Sequence, residues 1–221
     1  MKVSAIIPAA GLGVRLGEEK QFKLLAGYPL FIHSIRTFIN FPKIDEIVVV
    51  VPKNKKKIIY DWLTPISHKK NIVVTHGGSR RQDSVKNGVL SSNSNSDLIC
   101  IHDAARPFIT TKIIEECIIS AKNSDGAVVA IPSTSTVKYS KNNIIEKTIN
   151  RDNVWLAQTP QVFWRDKLLK AYDNLDKTDI LTDESVLMEK MGYKISLVLG
   201  DKANFKITTL EDWKRAESYL Q

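Results

Sequence analysis

Residues able to handle phosphate begin close to the start of the chain, in the run Pro8-Ala9-Ala10-Gly11-Leu12-Gly13-Val14-Arg15, with Lys20 following in the same loop. Gly11 and Gly13 allow the backbone to turn with positive φ and to approach a ligand closely, so successive N–H groups can face phosphate oxygens. The guanidinium fork of Arg15 and the point charge of Lys20 could then neutralise charge that builds up during phosphoryl or nucleotidyl transfer. Leu16 fills the third position of a G-x-G-x-x-G fingerprint and no Gly-Lys-Ser/Thr ending follows, so the run is neither a dinucleotide motif nor a Walker A loop. A plain strand-to-helix turn carrying two surface cations fits the same residues.

A second run, His102-Asp103-Ala104-Ala105-Arg106-Pro107, follows an apolar strand. Asp103 could hold Mg²⁺, which favours one or two carboxylates completed by substrate phosphates. Ala104 and Ala105 leave room for a flat base or a ribose. Structural roles are available too, for His102 as a satisfied core histidine and for Arg106 as a partner of Asp103 or of local carbonyls. Gly77-Gly78-Ser79-Arg80-Arg81-Gln82-Asp83-Ser84 stands between a strand and a helix, where glycines permit backbone contact with a polar ligand; an ordinary turn and helix entry reads equally well. Further along come Arg151-Asp152, Gln158-Thr159-Pro160-Gln161, Leu181-Thr182-Asp183-Glu184-Ser185 and Lys206. Thr182 or Asp183 reads as a helix cap. Lys206 lies near a short late strand and could be a solvated cation.

The elements that must position these residues alternate between β-branched runs and helical periods. Strands are expected at Val3 to Ile7, Glu46 to Val51, Ile72 to Thr75, Leu98 to His102 and Ala127 to Ile131. Helices are expected between them at Leu30 to Phe41, Asn54 to Leu63, Arg81 to Leu90 and Lys112 to Lys122. That cadence gives right-handed crossovers and a parallel sheet covered on both faces, with ligands beyond the carboxyl ends of the strands. Past Pro132, Thr136 to Tyr139 and Ile144 to Ile149 suit a hairpin arm too polar for a central strand, and such an arm needs a partner surface. Helices at Arg165 to Asn174, Glu184 to Met191 and Leu210 to Leu220 and a strand at Ile195 to Leu199 complete the reading. The Ser/Asn tract Ser91 to Ser96 is expected as a surface loop.

With 221 residues, 43% hydrophobic and 25% charged, the chain suits one α/β core. No apolar run approaches the ~20 residues needed to span a bilayer. The opening residues run straight into a strand without a signal or transit pattern, so a cytoplasmic location is expected. Cys100 and Cys117 are the only two cysteines and lack metal-ligand spacing, which makes both small buried hydrophobes. The net charge of +8 serves a polyphosphate substrate as well as a nucleic acid. The run Lys53-Asn54-Lys55-Lys56-Lys57 reads as a solvated helix face.

Taken together, these runs make the chain resemble the 2-C-methyl-D-erythritol 4-phosphate cytidylyltransferase family over essentially its whole length. The resemblance rests on Pro8-Ala9-Ala10-Gly11-Leu12-Gly13-x-Arg15, Lys20-Gln21-Phe22, Gly77-Gly78, Asp83-Ser84 and His102 to Pro107. It continues through Gln158-Thr159-Pro160-Gln161, Thr182-Asp183-Glu184 and Asn204-x-Lys206-Ile207-Thr208. It implies a Rossmann-like nucleotidyltransferase fold, mostly parallel, as one domain over 1–221, and a homodimer made through a protruding β-arm at about 134–152. It also implies CTP and a sugar-alcohol phosphate as substrates and Mg²⁺ as cofactor, with no nucleic-acid or membrane partner. By the same resemblance Arg15 and Lys20 stabilise the transition state and Gly11 and Gly13 wrap the triphosphate. Ala9, Ala10, Gly78, Ser84 and Ala104 frame cytosine and ribose, and Asp103 lies near the ribose and the metal. Thr136 and Arg151 from a partner, together with Lys206, place the acceptor.

Glu19 replaces the family's usual Pro, Ser79 a frequent acidic residue and Ala203 a common Asp. These departures bear on loop rigidity, a base contact and a polar contact near the sugar phosphate. Ribitol-5-phosphate cytidylyltransferase is the nearest rival; Ala9-Ala10-Gly11 and Ala104-Ala105 favour methylerythritol phosphate. A non-catalytic nucleotide- or RNA-binding module would need an aromatic stacking platform or RNP-like motif, and the sequence has neither.

Overall fold

Runs apolar at all or nearly all positions, such as Val3-Ser4-Ala5-Ile6-Ile7 and Ile47 to Val51, can be covered only by burying both faces of a sheet. The computed structural model, which describes residues 1–11, 19–176 and 178–220, places them in that setting. Strands β1 (Val3–Pro8), β4 (Glu46–Val51), β5 (Asn71–His76) and β6 (Leu98–Ile101) are parallel neighbours. Strands β7 (Gly126–Pro132) and β11 (Ile195–Leu199) form a second parallel pair, and with β10 (Trp155–Trp164) the seven-stranded order is β11-β7-β10-β6-β1-β4-β5. Between them β2 (Leu24–Leu25) and β3 (Tyr28–Pro29) make a small separate hairpin that the sequence reading did not anticipate. Its turn places Ala26 and Gly27 at φ 44° and 82°.

One face of the sheet carries α1 (Leu30–Ile39), α2 (Lys56–Leu63) and α4 (Thr111–Lys122), whose Phe31, Ile35, Phe38, Ile59, Ile114 and Ile118 pack on Ala5, Ile7, Ile47, Val49 and Cys100. The opposite face carries α3 (Arg81–Ser91), α5 (Arg165–Asp173) and α6 (Glu184–Lys190) over Ile6, Val48, Val50, Ile99 and Ile101. Helix α7 (Leu210–Tyr219) closes a smaller cluster with Leu25, Leu30, Ala105 and Ile207. Both cysteines are fully buried, and burial pushes both thiols up, away from nucleophilic use at neutral pH.

The main departure from the sequence reading is β10 (Trp155–Trp164). Pro160 among Gln158, Thr159 and Gln161 argues against a central strand. The segment nevertheless runs antiparallel between β6 and β7, with its register against β7 shifting between Ala157 and Gln161. Its polar side chains are each bonded: Gln158 to Asp201 and Asn204, Thr159 to His102, and Gln161 to Asp183 and Glu184. Two smaller corrections follow. Ser92 and Ser96, expected on a surface loop, are buried, and Ser96 bonds Ser4. No strand forms near Lys206 in residues 200–208.

Among the described residues, strands β8 (Val137–Lys141) and β9 (Ile144–Ile149) pair only with each other, through a two-residue turn in which Asn142 and Asn143 take φ of 52° and 62°. Asparagine tolerates this left-handed conformation, which matches the strand twist of a tight hairpin. Most of the hairpin's side chains are exposed, Ile144 and Ile145 among them. No helix among the described residues is long and apolar enough to cross a membrane.

Helix α3 lies close to the sheet because Gly88 has no side chain. A Cβ there would sit 2.5 Å from Ile6 Cγ2 and 2.8 Å from Val50 Cγ2, both on stiff β-branched residues. Gly88→Ala would improve helix propensity by about 1 kcal/mol, yet overpacking costs about 1–3 kcal/mol. We predict net destabilisation, read as a lower urea midpoint; a midpoint above wild type would contradict the close packing.

Candidate active site

The carboxyl ends of β1, β4, β5 and β6 border a cleft of about 770 Å³. It is lined by Ala9, Ala10 and Gly11 after β1, Lys53 after β4, Gly77 and Gly78 after β5, and Asp103 and Ala104 after β6, with Lys20, Arg81, Ser84 and Lys206 around them. The structure therefore gathers Ala9, Ala10, Gly11, Lys20, Gly78, Ser84, Asp103, Ala104 and Lys206. Gly13 and Arg15 lie outside the described residues. Thr136 and Arg151 are exposed and do not line the cleft of their own chain; Arg151 Nη1 donates to the Thr134 carbonyl at 2.8 Å. Lys53, expected on a solvated face, borders the cleft.

Small residues do different work here from that expected of them. Gly11 does not take positive φ, and among the described residues nothing stands within 4 Å of where its Cβ would be. A Cβ on Gly77 would meet Ala10 Cβ at 2.3 Å, and one on Gly78 would meet Asp83 Cβ at 2.4 Å, so these two are required by close approach. Ser84 Oγ accepts from Gly78 N–H and donates to the Arg80 carbonyl, both at 3.1 Å. Buried Gln21 donates to the carbonyls of Ala9 at 3.1 Å and Gly11 at 2.6 Å, tying the first loop to the segment that carries Lys20.

Asp103 is the electrostatic centre. It is 7% exposed, with Lys206 Nζ at 2.9 Å, Arg106 Nε at 3.5 Å and Arg81 Nη2 at 3.5 Å. Burial pushes its pKa up, but Lys206, Arg81 and Arg106 outweigh this and hold the carboxyl well below the usual range. His102 and Arg106 take the structural roles open to them. Arg106 Nη1 donates to the Asn204 carbonyl at 2.8 Å, the residue two before Lys206. His102 is fully buried, with Nε2 on the Arg106 carbonyl and Nδ1 on Thr159 Oγ1, each at 3.0 Å. A carbonyl only accepts, so Nε2 carries the proton and Thr159 donates to Nδ1, while Thr159 Oγ1 accepts the Asp103 N–H at 3.0 Å.

Two residues that the sequence reading quoted within longer runs without giving them a site role belong here. Arg81 lines the cleft and places Nη1 2.9 and 2.8 Å from the two oxygens of Glu184, which is fully buried. Burial lowers the Arg81 pKa, but Glu184 and then Asp103 raise it above the ordinary arginine value. Asp183, read as a possible cap, does cap α6, accepting from Val186 N–H. The departures from the family pattern are also accommodated: Glu19 pairs with Lys55 at 3.1 Å, Ser79 donates to Asp83 at 2.9 Å, and Ala203 N–H donates to Asp201 at 2.8 Å.

A mostly parallel sheet with a cation-ringed cleft at its carboxyl edge defines an α/β nucleotidyltransferase. The family model described as IspD: 2-C-methyl-D-erythritol 4-phosphate cytidylyltransferase matches residues 3–221. A protein of that name from Geobacter metallireducens is 38% identical, covering 100% of this chain and 98% of its own. The structure titled 4-diphosphocytidyl-2C-methyl-D-erythritolsynthase from Anaerococcus prevotii superposes with a TM-score of 0.89 at 32% identity, covering 100% of this chain and 98% of that one. The Francisella tularensis 2-C-methyl-D-erythritol 4-phosphate cytidylyltransferase follows with a TM-score of 0.82 at 32% identity, covering 99% of each. The chain belongs to the 2-C-methyl-D-erythritol 4-phosphate cytidylyltransferase family and is a nucleotidyltransferase. The ribitol phosphate and RNA-binding readings are not favoured.

Burial lowers the His102 pKa from 6.5 to about 4, although its bond to the Arg106 carbonyl opposes the shift. The unfolded imidazole binds a proton that the folded one refuses, so its contribution to stability is full above pH 6.5 and falls toward pH 4. The slope from this group is up to about 1.4 kcal/mol per pH unit. His102→Gln should flatten the stability profile across that window. A wild-type His102 ring resonance that titrates near pH 6.5 would contradict it.

Proposed function

We propose that the cleft carries out the family reaction with the following division of labour, in which a cytidylyl group passes from CTP to 2-C-methyl-D-erythritol 4-phosphate and pyrophosphate leaves. The observation that carries this reading is the meeting of Lys20, Lys206, Arg81 and Asp103 in one cleft floored by Ala9, Ala10 and Gly11. Ala10, Gly78, Ser84 and Ala104 frame the cytosine and ribose, since no bulk there intrudes on a flat base. Gly11 and Gly13 accommodate the triphosphate. Arg15 and Lys20 neutralise the α-phosphate as the acceptor phosphate oxygen attacks it in line and the bond to pyrophosphate breaks. Alignment and charge suffice for such a transfer, and no covalent nucleophile is needed.

Asp103 is the group that would hold Mg²⁺. Among the described residues no three His, Cys, Asp or Glu gather around a metal position. A single carboxylate beside phosphate oxygens nevertheless suits this ion, which keeps several waters. When bound it would neutralise charge on the triphosphate. Lys206 and, from a second copy, Thr136 and Arg151 hold the acceptor phosphate. The exposure of Thr136 and Arg151 away from their own chain's cleft supports a homodimer in which the β8–β9 hairpin reaches the neighbouring site. The protein acts in the cytoplasm on this reading.

Pyrophosphate release from CTP should depend on methylerythritol phosphate; release with ribitol phosphate alone would overturn the acceptor assignment. Lys20→Ala should lower kcat, and Lys206→Ala should mainly raise the acceptor KM. Equal small effects at both would place the chemistry elsewhere. Mixing Arg151→Ala with Lys206→Ala subunits should restore turnover at acceptor concentrations too low for either variant alone, because the hybrid has one intact site. No recovery on mixing, with subunit exchange demonstrated, would show that Arg151 does not act across a dimer.

A further inference from the structure

The pair formed by Arg81 and Glu184 is given no step in the transfer above, although Arg81 lines the cleft and Glu184 is fully buried. Arg81 is the first residue of α3, where the helix dipole disfavours a cation, whereas Glu184 is the first residue of α6, where it favours an anion. The Glu184 backbone N–H also donates to Gln161 Oε1 at 3.2 Å, so its position is fixed from the sheet. A pair serving stability alone is weakly supported by physics, since apolar replacements of buried pairs are often neutral or stabilising.

The geometry divides Arg81 unequally. Nη1 is held at 2.8 and 2.9 Å by Glu184, while Nη2 stands back at 3.5 Å from Asp103 Oδ1. On the other side Lys206 already occupies Asp103 Oδ2 at 2.9 Å. Oδ1 is therefore the acceptor of Asp103 left for a nucleotide, provided that Arg81 does not close on it. Resting on the cytidylyltransferase reading, we propose that Glu184 is a positioning residue for nucleotide binding: it restrains Arg81 so that Asp103 Oδ1 stays open to a hydroxyl of CTP. Without its charge Arg81 moves onto Asp103, and the nucleotide must compete with a guanidinium for the same oxygen.

The test compares wild type, Glu184→Gln and the double variant Arg81→Met/Glu184→Met in turnover with CTP and methylerythritol phosphate and in calorimetric binding of CTP alone. Glu184→Gln should raise the CTP KM and Kd about tenfold while kcat changes less than about threefold, the size expected when one charge-assisted hydrogen bond is lost. The double variant, which lacks the intruding guanidinium, should bind CTP at least about threefold more tightly than Glu184→Gln does. A merely structural role would leave the double variant at least as impaired as the single one, and that result overturns the proposal. So does an unchanged CTP affinity in Glu184→Gln. If Glu184→Gln does not fold, Glu184→Asp replaces it, since a carboxylate withdrawn by one methylene releases Arg81 and should raise the CTP KM in the same way; an unchanged KM again overturns the idea. Wild type that neither binds CTP nor releases pyrophosphate would overturn the underlying functional reading, an outcome distinct from any pattern among the variants.

Discussion

A carboxylate buried at the end of a central strand must be matched by positive charge or it cannot remain ionised, and Asp103 after β6 sets that requirement for the whole cleft. The matching cations arrive from three places: Lys206 from the segment before α7, Arg81 from the start of α3 and Arg106 from the same loop. Each cation needs an anchor of its own. Arg106 is fixed by the Asn204 carbonyl, Asn204 by Gln158 and the Thr159 carbonyl, and Arg81 by Glu184, which Gln161 holds in turn. Three of these anchors sit on β10, so a strand that does not line the cleft decides where the charges stand.

The side of the cleft proposed for the nucleotide is governed by absence of bulk. Gly77 and Gly78 let the β5 loop nest against Ala10 and Asp83, while Ser84 and Gln21 supply the hydrogen bonds that hold those glycine and alanine segments in place. Small residues alone would give a loose floor. Buried polar side chains with every bond directed at backbone make it a defined one.

Apart from the short β2–β3 hairpin, the alternation of strands and helices through β7 was legible because the helices are periodic and the strands apolar and β-branched. The joint around β10 was not. Pro160 and three polar residues disguise it as a loop, and only their tertiary partners, contributed by residues 102, 183, 184, 201 and 204, explain why they can be buried. The cleft residues on strand ends were readable from type and position. Arg81 and Glu184 were not, since one lay inside a glycine-led turn and the other resembled an ordinary first-turn acid. A usable signal existed in Arg80-Arg81 opening a helix, where cations are disfavoured and a carboxylate partner should be sought.

The place of β10 also bears on how the chain is assembled during synthesis. Strands β6 and β7 leave the ribosome before β10, yet neither can pair with the other, because β10 belongs between them. Until residue 164 has emerged, the Leu98–Ile101 strand presents an apolar unpaired edge, and the two parallel blocks remain separate. Such an edge is the template on which chains associate wrongly. The insertion that arranges the charges around Asp103 therefore makes the nascent chain dependent on a late, non-local event, and truncations ending before β10 should expose the interior of the sheet rather than yield a smaller stable domain.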